Sequence, residues 1–133
     1  MLGAVLRISG SKISLTRFLD ATELEPLSIY WKGQLRYKSS KRPSEVNGCD
    51  ISVSSSSGQN LAAQVRGAVR FIRRHEAEFR RIKRLKLSAV IDFGVEARHT
   101  DGPTYFRFPR AFIALLAKYG LDLELSHYGE PPE

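Results

Sequence analysis

A chain of 133 residues, 42% apolar and 26% charged, has the size of one domain and the balance of a globular rather than a disordered one. That length buries a core without disulfides or metals, and the single cysteine, Cys49, excludes an internal disulfide and favours a reducing compartment. The formal net charge is +7, and it is concentrated: Leu61 to Lys86 holds nine basic residues and two acids, whereas the other twelve bases and twelve acids cancel.

The N-terminus, Met1-Leu2-Gly3-Ala4-Val5-Leu6-Arg7, lacks a basic segment followed by a long apolar stretch, so it is not read as a secretory signal. The longest apolar run, Ala111 to Ala117, falls far short of the roughly 20 residues that span a bilayer. A cytoplasmic location and no membrane partner are expected. Residues Ala4 to Ile8 alternate apolar and mixed positions and predict a first strand. Gly10-Ser11-Lys12 is a turn, with Ser14 as the cap of a short helix that uses Leu15, Phe18 and Leu19 and ends at Glu23 to Pro26. Ile29 and Trp31 suggest a short strand before Gly33, and Lys38 to Asn47 reads as a polar surface loop. Cys49, Ile51 and Val53 alternate with Asp50, Ser52 and Ser54, a half-exposed strand.

Ser55 to Asn60 is a turn, with Ser57 or Asn60 as the cap of the next helix. Leu61 to about Leu85 predicts one long helix of roughly 37 Å, with no proline and an apolar stripe of Leu61, Val65, Ala68, Ile72, Phe79 and Ile82. Leu87, Ala89, Ile91 and Phe93 form another alternating strand. Gly94 to Pro103 is a polar loop, and Thr104 to Phe108 is read as a short strand. Pro109 and Gly120 bracket a helix carrying Phe112, Leu115, Leu116 and Tyr119. Leu121, Leu123 and Leu125 mark a last amphipathic strand, and residues 128–133 read as a frayed tail. The expected architecture is a single α+β domain over residues 1–133, a mostly antiparallel sheet with one long and two shorter helices packed on one face.

Three segments, in order, carry a resemblance: Ile13-Ser14-Leu15 through Leu24-Glu25-Pro26; Tyr30-Trp31-Lys32-Gly33; and Leu115-Leu116-Ala117-Lys118-Tyr119-Gly120-Leu121-Asp122-Leu123-Glu124-Leu125 closing at Tyr128. Together they resemble a bacterial family of uncharacterised proteins, domain of unknown function 4279. That family often has a second tryptophan on the strand where this chain has Gly48-Cys49-Asp50-Ile51. The resemblance implies a small α+β domain and implies no activity, cofactor or catalytic residue.

The candidate binding residues lie on the long helical segment. With Leu61 at zero and about 100° per residue, Arg66, Arg70, Arg73, Arg74, Arg80, Arg81 and Arg84 fall between roughly 100° and 220°, opposite the apolar stripe. Such a face binds phosphates or an acidic partner through guanidinium forks, or it is only a solvated surface. Nearly all its bases are arginine, and acids at i+4 are few. Trp31 is the second candidate, either a contact aromatic or the anchor of an irregular loop.

No catalytic set emerges. Cys49 has no positioned histidine, His75 reads as half-buried, and His99-Thr100-Asp101 is a loop without further ligands. No glycine-rich phosphate loop or nucleophile elbow is present. Neither a cofactor nor a metal is expected. The resulting expectation is a non-catalytic protein-binding module with an acidic-surfaced partner, for example an immunity-type inhibitor. The alternative is nucleic-acid binding through the Arg-rich face. Inhibitors of nucleic-acid-cutting toxins tend to be acidic, so a basic inhibitor points to a different kind of target.

Overall fold

Alternation in the strands and three- to four-residue spacing in the helices send the apolar side chains to one side of a single sheet. The computed structural model describes residues 3–37, 39–55, 60–97 and 105–129. The elements run β1 (Ala4–Gly10), α1 (Lys12–Ala21), β2 (Ser28–Tyr30), β3 (Asn47–Ser54), α2 (Leu61–Arg74), α3 (Glu76–Arg84), β4 (Ser88–Ala97), α4 (Arg110–Tyr119) and β5 (Asp122–Gly129). The sheet order is β2-β3-β1-β4-β5. All pairs are antiparallel except β4 with β5. The connection through α4 returns the chain to the starting end of β4, which makes that last pair parallel.

The register explains the core. Leu6 lies opposite Ile51 and Ile91, and Ile8 lies opposite Cys49 and Ala89. These side chains therefore share one face, with period two along each strand. Against them pack Leu15 and Phe18 of α1, Val65, Ala68 and Ile72 of α2, Phe79 and Ile82 of α3, and Phe112, Leu116 and Tyr119 of α4. Gln64, fully buried on α2, donates its side-chain amide to the Gly94 carbonyl of β4 at 2.9 Å and fixes the helix on the sheet.

Caps set the helix ends. The Ser11 hydroxyl accepts from the Ser14 amide at 3.1 Å, so α1 begins at Lys12, one turn before the start expected from Ser14. Asn60 caps α2 by accepting from the Ala63 amide at 3.0 Å. Gly120 closes α4 in the left-handed conformation, φ 66°, which a glycine adopts at no steric cost.

Several further expectations are corrected, among them the polar loop expected from Gly94, whose residues through Ala97 continue β4. The single long helix is two helices, α2 and α3, separated at His75, whose φ of −117° and ψ of 35° leave the helical region. Charge explains why two helices suit this stretch. Arg73 and Arg74 lie in the last turn of α2, Glu76 and Glu78 in the first turn of α3, and Arg81, Lys83 and Arg84 in its last turn. Each helix thus carries charges that complement its own dipole. The three helices expected are therefore four. Tyr105 to Phe108 is not a strand; Phe108 instead packs its ring 5.8 Å from Phe93 and 6.3 Å from Phe112. Finally, β5 continues through Gly129, so Tyr128 belongs to the sheet rather than to a tail. Ser57 and His99 to Asp101 lie outside the described residues.

Candidate functional site

The inward side of α2 is fixed by Val65, Ala68 and Ile72, and this turns Arg66, Arg70, Arg73 and Arg74 to solvent. Among the described residues none of these four makes an ion pair. On α3, Arg84 is also exposed, and Arg80 reaches back one turn to Glu76 at 3.2 Å while staying 61% exposed. A shallow groove of about 340 Å³ between α3 and α4 is bordered by Arg80, Lys83, Arg84, Lys118 and Tyr119. Six of the seven arginines therefore lie on the solvent side, divided by the turn at His75 into a group on α2 and a group on α3.

Arg81 stands apart. Its Nη1 donates to both oxygens of Glu78 at 3.2 Å and to the Ala21 carbonyl at 3.3 Å. Glu78, 7% exposed, also accepts from the Thr22 hydroxyl at 2.6 Å and from the Glu23 amide at 3.3 Å. The pair joins α3 to the end of α1. Arg81 is half-buried in that joint and does not project into solvent with the other six.

Trp31 follows β2 and is half-buried against the core, with the Lys12 ammonium 5.9 Å from its ring centroid. The loop behind it is tied down at several points. The Lys32 amide donates to the Asn47 side chain at 2.9 Å, and the Gly33 amide donates to the Ser44 carbonyl at 2.9 Å. Arg36 folds onto the sheet: its guanidinium lies 4.0 Å from the Tyr30 ring centroid and 5.4 Å from that of Tyr37, and it pairs with Asp50.

Asp50 belongs to a second polar site, on a strand face that alternation alone marks as ordinary. On the side of the sheet away from the helices, Arg7 lies opposite Asp50 and Val90. Two carboxylates there are almost fully buried, Asp50 at 8% and Asp92 at 4% exposure. Asp50 accepts from the Tyr30 hydroxyl at 3.1 Å, from the Ser28 hydroxyl at 3.2 Å and from Arg36. Asp92 accepts from the Ser126 hydroxyl at 2.7 and 2.8 Å and pairs with Arg7 at 2.8 Å; Arg7 also reaches Glu124 at 3.6 Å. Burial, with the charge and hydrogen bond of Asp50, pushes the Tyr30 phenol up to about 12. Burial works against the Arg36 charge, but Asp50, Tyr30 and Tyr37 together outweigh it and the guanidinium is held above its ordinary value. These are buried groups with fixed partners, the arrangement that secures a structure. Their only trace in the sequence is an aspartate at an inner position of two strands, and the register is needed to bring Arg7 to them.

Cys49 points into the core from β3, and burial, followed by the Asp50 charge, pushes its thiol up to about 12. At neutral pH it is a protonated, inaccessible thiol rather than a nucleophile. His75 is half-buried, its ring centroid 4.7 Å from that of Phe71. Among the described residues no group of three His, Cys, Asp or Glu side chains is placed to hold a metal ion, and no helix is long and apolar enough to cross a membrane. Neither the curated proteins nor the solved structures give a match to this chain. The family model described as Domain of unknown function (DUF4279) matches residues 1–130, nearly the whole of the fold described above, and the chain therefore belongs to that family.

Proposed function

We propose that this protein is a non-catalytic binding module that docks an acidic protein partner on the arginine surface of α2 and α3. The observation that carries the reading is the set of four exposed arginines on α2, Arg66, Arg70, Arg73 and Arg74, without an ion pair among the described residues. Exposed guanidiniums with no carboxylate of their own gain forked, charge-assisted hydrogen bonds from an acidic partner and break nothing to form them. Arg80 and Arg84 extend the surface onto α3. Trp31, half-buried and packed on the core, serves in this reading as the anchor of its loop. An immunity-type inhibitor acting on an acidic target is one concrete form. A cytoplasmic location suits the single reduced cysteine.

The test is affinity capture from lysate with and without nuclease, using the wild type and a variant with Arg66, Arg70, Arg73 and Arg74 all changed to Gln. The reading expects one acidic protein to be retained by the wild type, unaffected by nuclease, and lost with the variant. If nuclease abolishes the interaction and affinity falls steeply with salt, the partner is a nucleic acid instead.

A further inference from the structure

We infer that the cleft between β3 and α2 binds a phosphate monoester group, held by Arg70 and Arg74 against the serines at the end of β3. This rests on the reading of α2 as a binding surface and narrows it to one ligand chemistry.

The cleft arises because β2 is short. It pairs with β3 only from Gly48 to Asp50, so from Ile51 onward β3 has no neighbouring strand on that side among the described residues. The helix α2 closes over that open edge and leaves a cleft of about 390 Å³. Ser52, Ser54 and Ser55 line one wall, and Arg70 and Arg74 line the other. The two arginines are one turn apart and so sit above one another on the same side of the helix.

Gly67 brings the two walls together. A side chain added there would place its Cβ 2.8 Å from the Ser54 hydroxyl oxygen and 3.9 Å from Nη2 of Arg70. The Ser54 side chain therefore packs directly on the Gly67 backbone, closer than any larger residue there would allow, with the Arg70 guanidinium beside it. The result is a recess with cationic forks on one side and serine hydroxyls on the other, lined also by Val53 and Phe71, and among the described residues no carboxylate lines it.

That donor set matches a phosphate monoester better than a carboxylate. A carboxylate has two oxygens and one charge, which a single guanidinium fork satisfies. A phosphate monoester carries close to two charges and three strong acceptor oxygens, enough to take both guanidiniums and a serine hydroxyl at once. Arg66 and Arg73, also exposed on α2 but not lining the cleft, lie outside this recess.

The experiment is a titration of the full chain, followed by amide and arginine side-chain NMR at fixed ionic strength. The probes are a short phosphoserine peptide, the same peptide with Glu at that position, and inorganic phosphate. The expected result is saturable shifts at Ser52, Ser54, Gly67 and Arg70, with the phosphoserine peptide binding about tenfold or more tightly than the Glu peptide. Inorganic phosphate should move the same resonances; if it binds more tightly than the peptide, the group enters as free phosphate rather than on a partner. Arg70→Gln with Arg74→Gln should weaken phosphate-group binding by about tenfold or more, whereas Arg66→Gln with Arg73→Gln should change it by less than about threefold. Equal affinity for the Glu and phosphoserine peptides, equal losses in the two double variants, or shifts that never saturate would each overturn the cleft inference. None of these would touch the surface reading, which the four-arginine variant decides separately by capture.

Discussion

The two faces of this molecule use arginine in opposite ways. On the side of the sheet away from the helices, Arg7 and Arg36 each pair with an aspartate that is almost fully buried, and neighbouring hydroxyls complete the network. On the outer side of α2, four arginines stand in solvent with no ion pair among the described residues. A charge already bonded to a buried partner contributes to folding and has little left to offer a ligand. An exposed charge contributes little to folding and keeps its capacity for binding. Arginine stands in both places; what separates them is whether the fold brings a carboxylate within reach.

The sharpest break in this comparison comes from removing one buried acid. Asp50→Ala strands Arg36 and the Tyr30 hydroxyl and should lower stability by about 3 kcal/mol in urea denaturation. A loss no larger than that of an exposed arginine would dissolve the distinction between the faces. Next in size is alkaline titration. The folded-state values of Cys49 and Tyr30, both near 12, lie above their ordinary ones. The folded protein therefore holds protons that the unfolded chain releases. The stabilisation is fully present below the ordinary thiol value and declines as pH rises toward 12. Through Cys49 alone stability should fall by about 1.4 kcal/mol between about pH 8 and pH 10. Cys49→Ala should flatten that part of the profile and leave the Tyr30 decline above about pH 10. An unchanged slope in the variant would contradict the burial argument.

Much of this fold was legible and some was not, for identifiable reasons. The period-two runs at Ala4 to Ile8, Cys49 to Val53, Leu87 to Phe93 and Leu121 to Leu125 each became a strand because local alternation decides a half-covered sheet. The turn at His75 leaves no mark on the apolar stripe, because Ile72, Phe79 and Ile82 keep helical spacing across it. The order of charges, Arg73 and Arg74, then Glu76 and Glu78, then Arg81, Lys83 and Arg84, did mark two helices. Six arginines were placed correctly on the outer surface because a helical wheel depends only on spacing. Arg81 was not, because its partners at Ala21 and Glu78 involve a helix 60 residues away. Asp50 and Asp92 hid for the same reason: their burial depends on cross-strand neighbours and on the loop carrying Arg36.

Two smaller effects sharpen the contrast within a single helical stretch. Arg81→Gln removes the link from α3 to α1 and should cost about 1 kcal/mol, against at most about 0.5 kcal/mol for Arg73→Gln. Parallel denaturation curves check this, and equal costs would mean that Arg81 belongs with the exposed set. Lys86 adopts φ 57° just after α3, a conformation that disfavours side chains. Lys86→Gly should therefore be neutral or stabilising by up to about 1 kcal/mol, because relief of strain opposes the added freedom of the unfolded chain. A loss larger than about 1 kcal/mol would show that the Lys86 side chain holds the turn.

The central claim, that the arginines of α2 bind rather than fold, is met most directly by one paired measurement. The variant with Arg66, Arg70, Arg73 and Arg74 changed to Gln is compared with the wild type for thermal midpoint and for partner capture from nuclease-treated lysate. The account predicts a midpoint that is unchanged or slightly higher, since like charges on one helix repel, together with loss of the acidic partner. A folded variant that retains its partner in full, or one that unfolds, would contradict it.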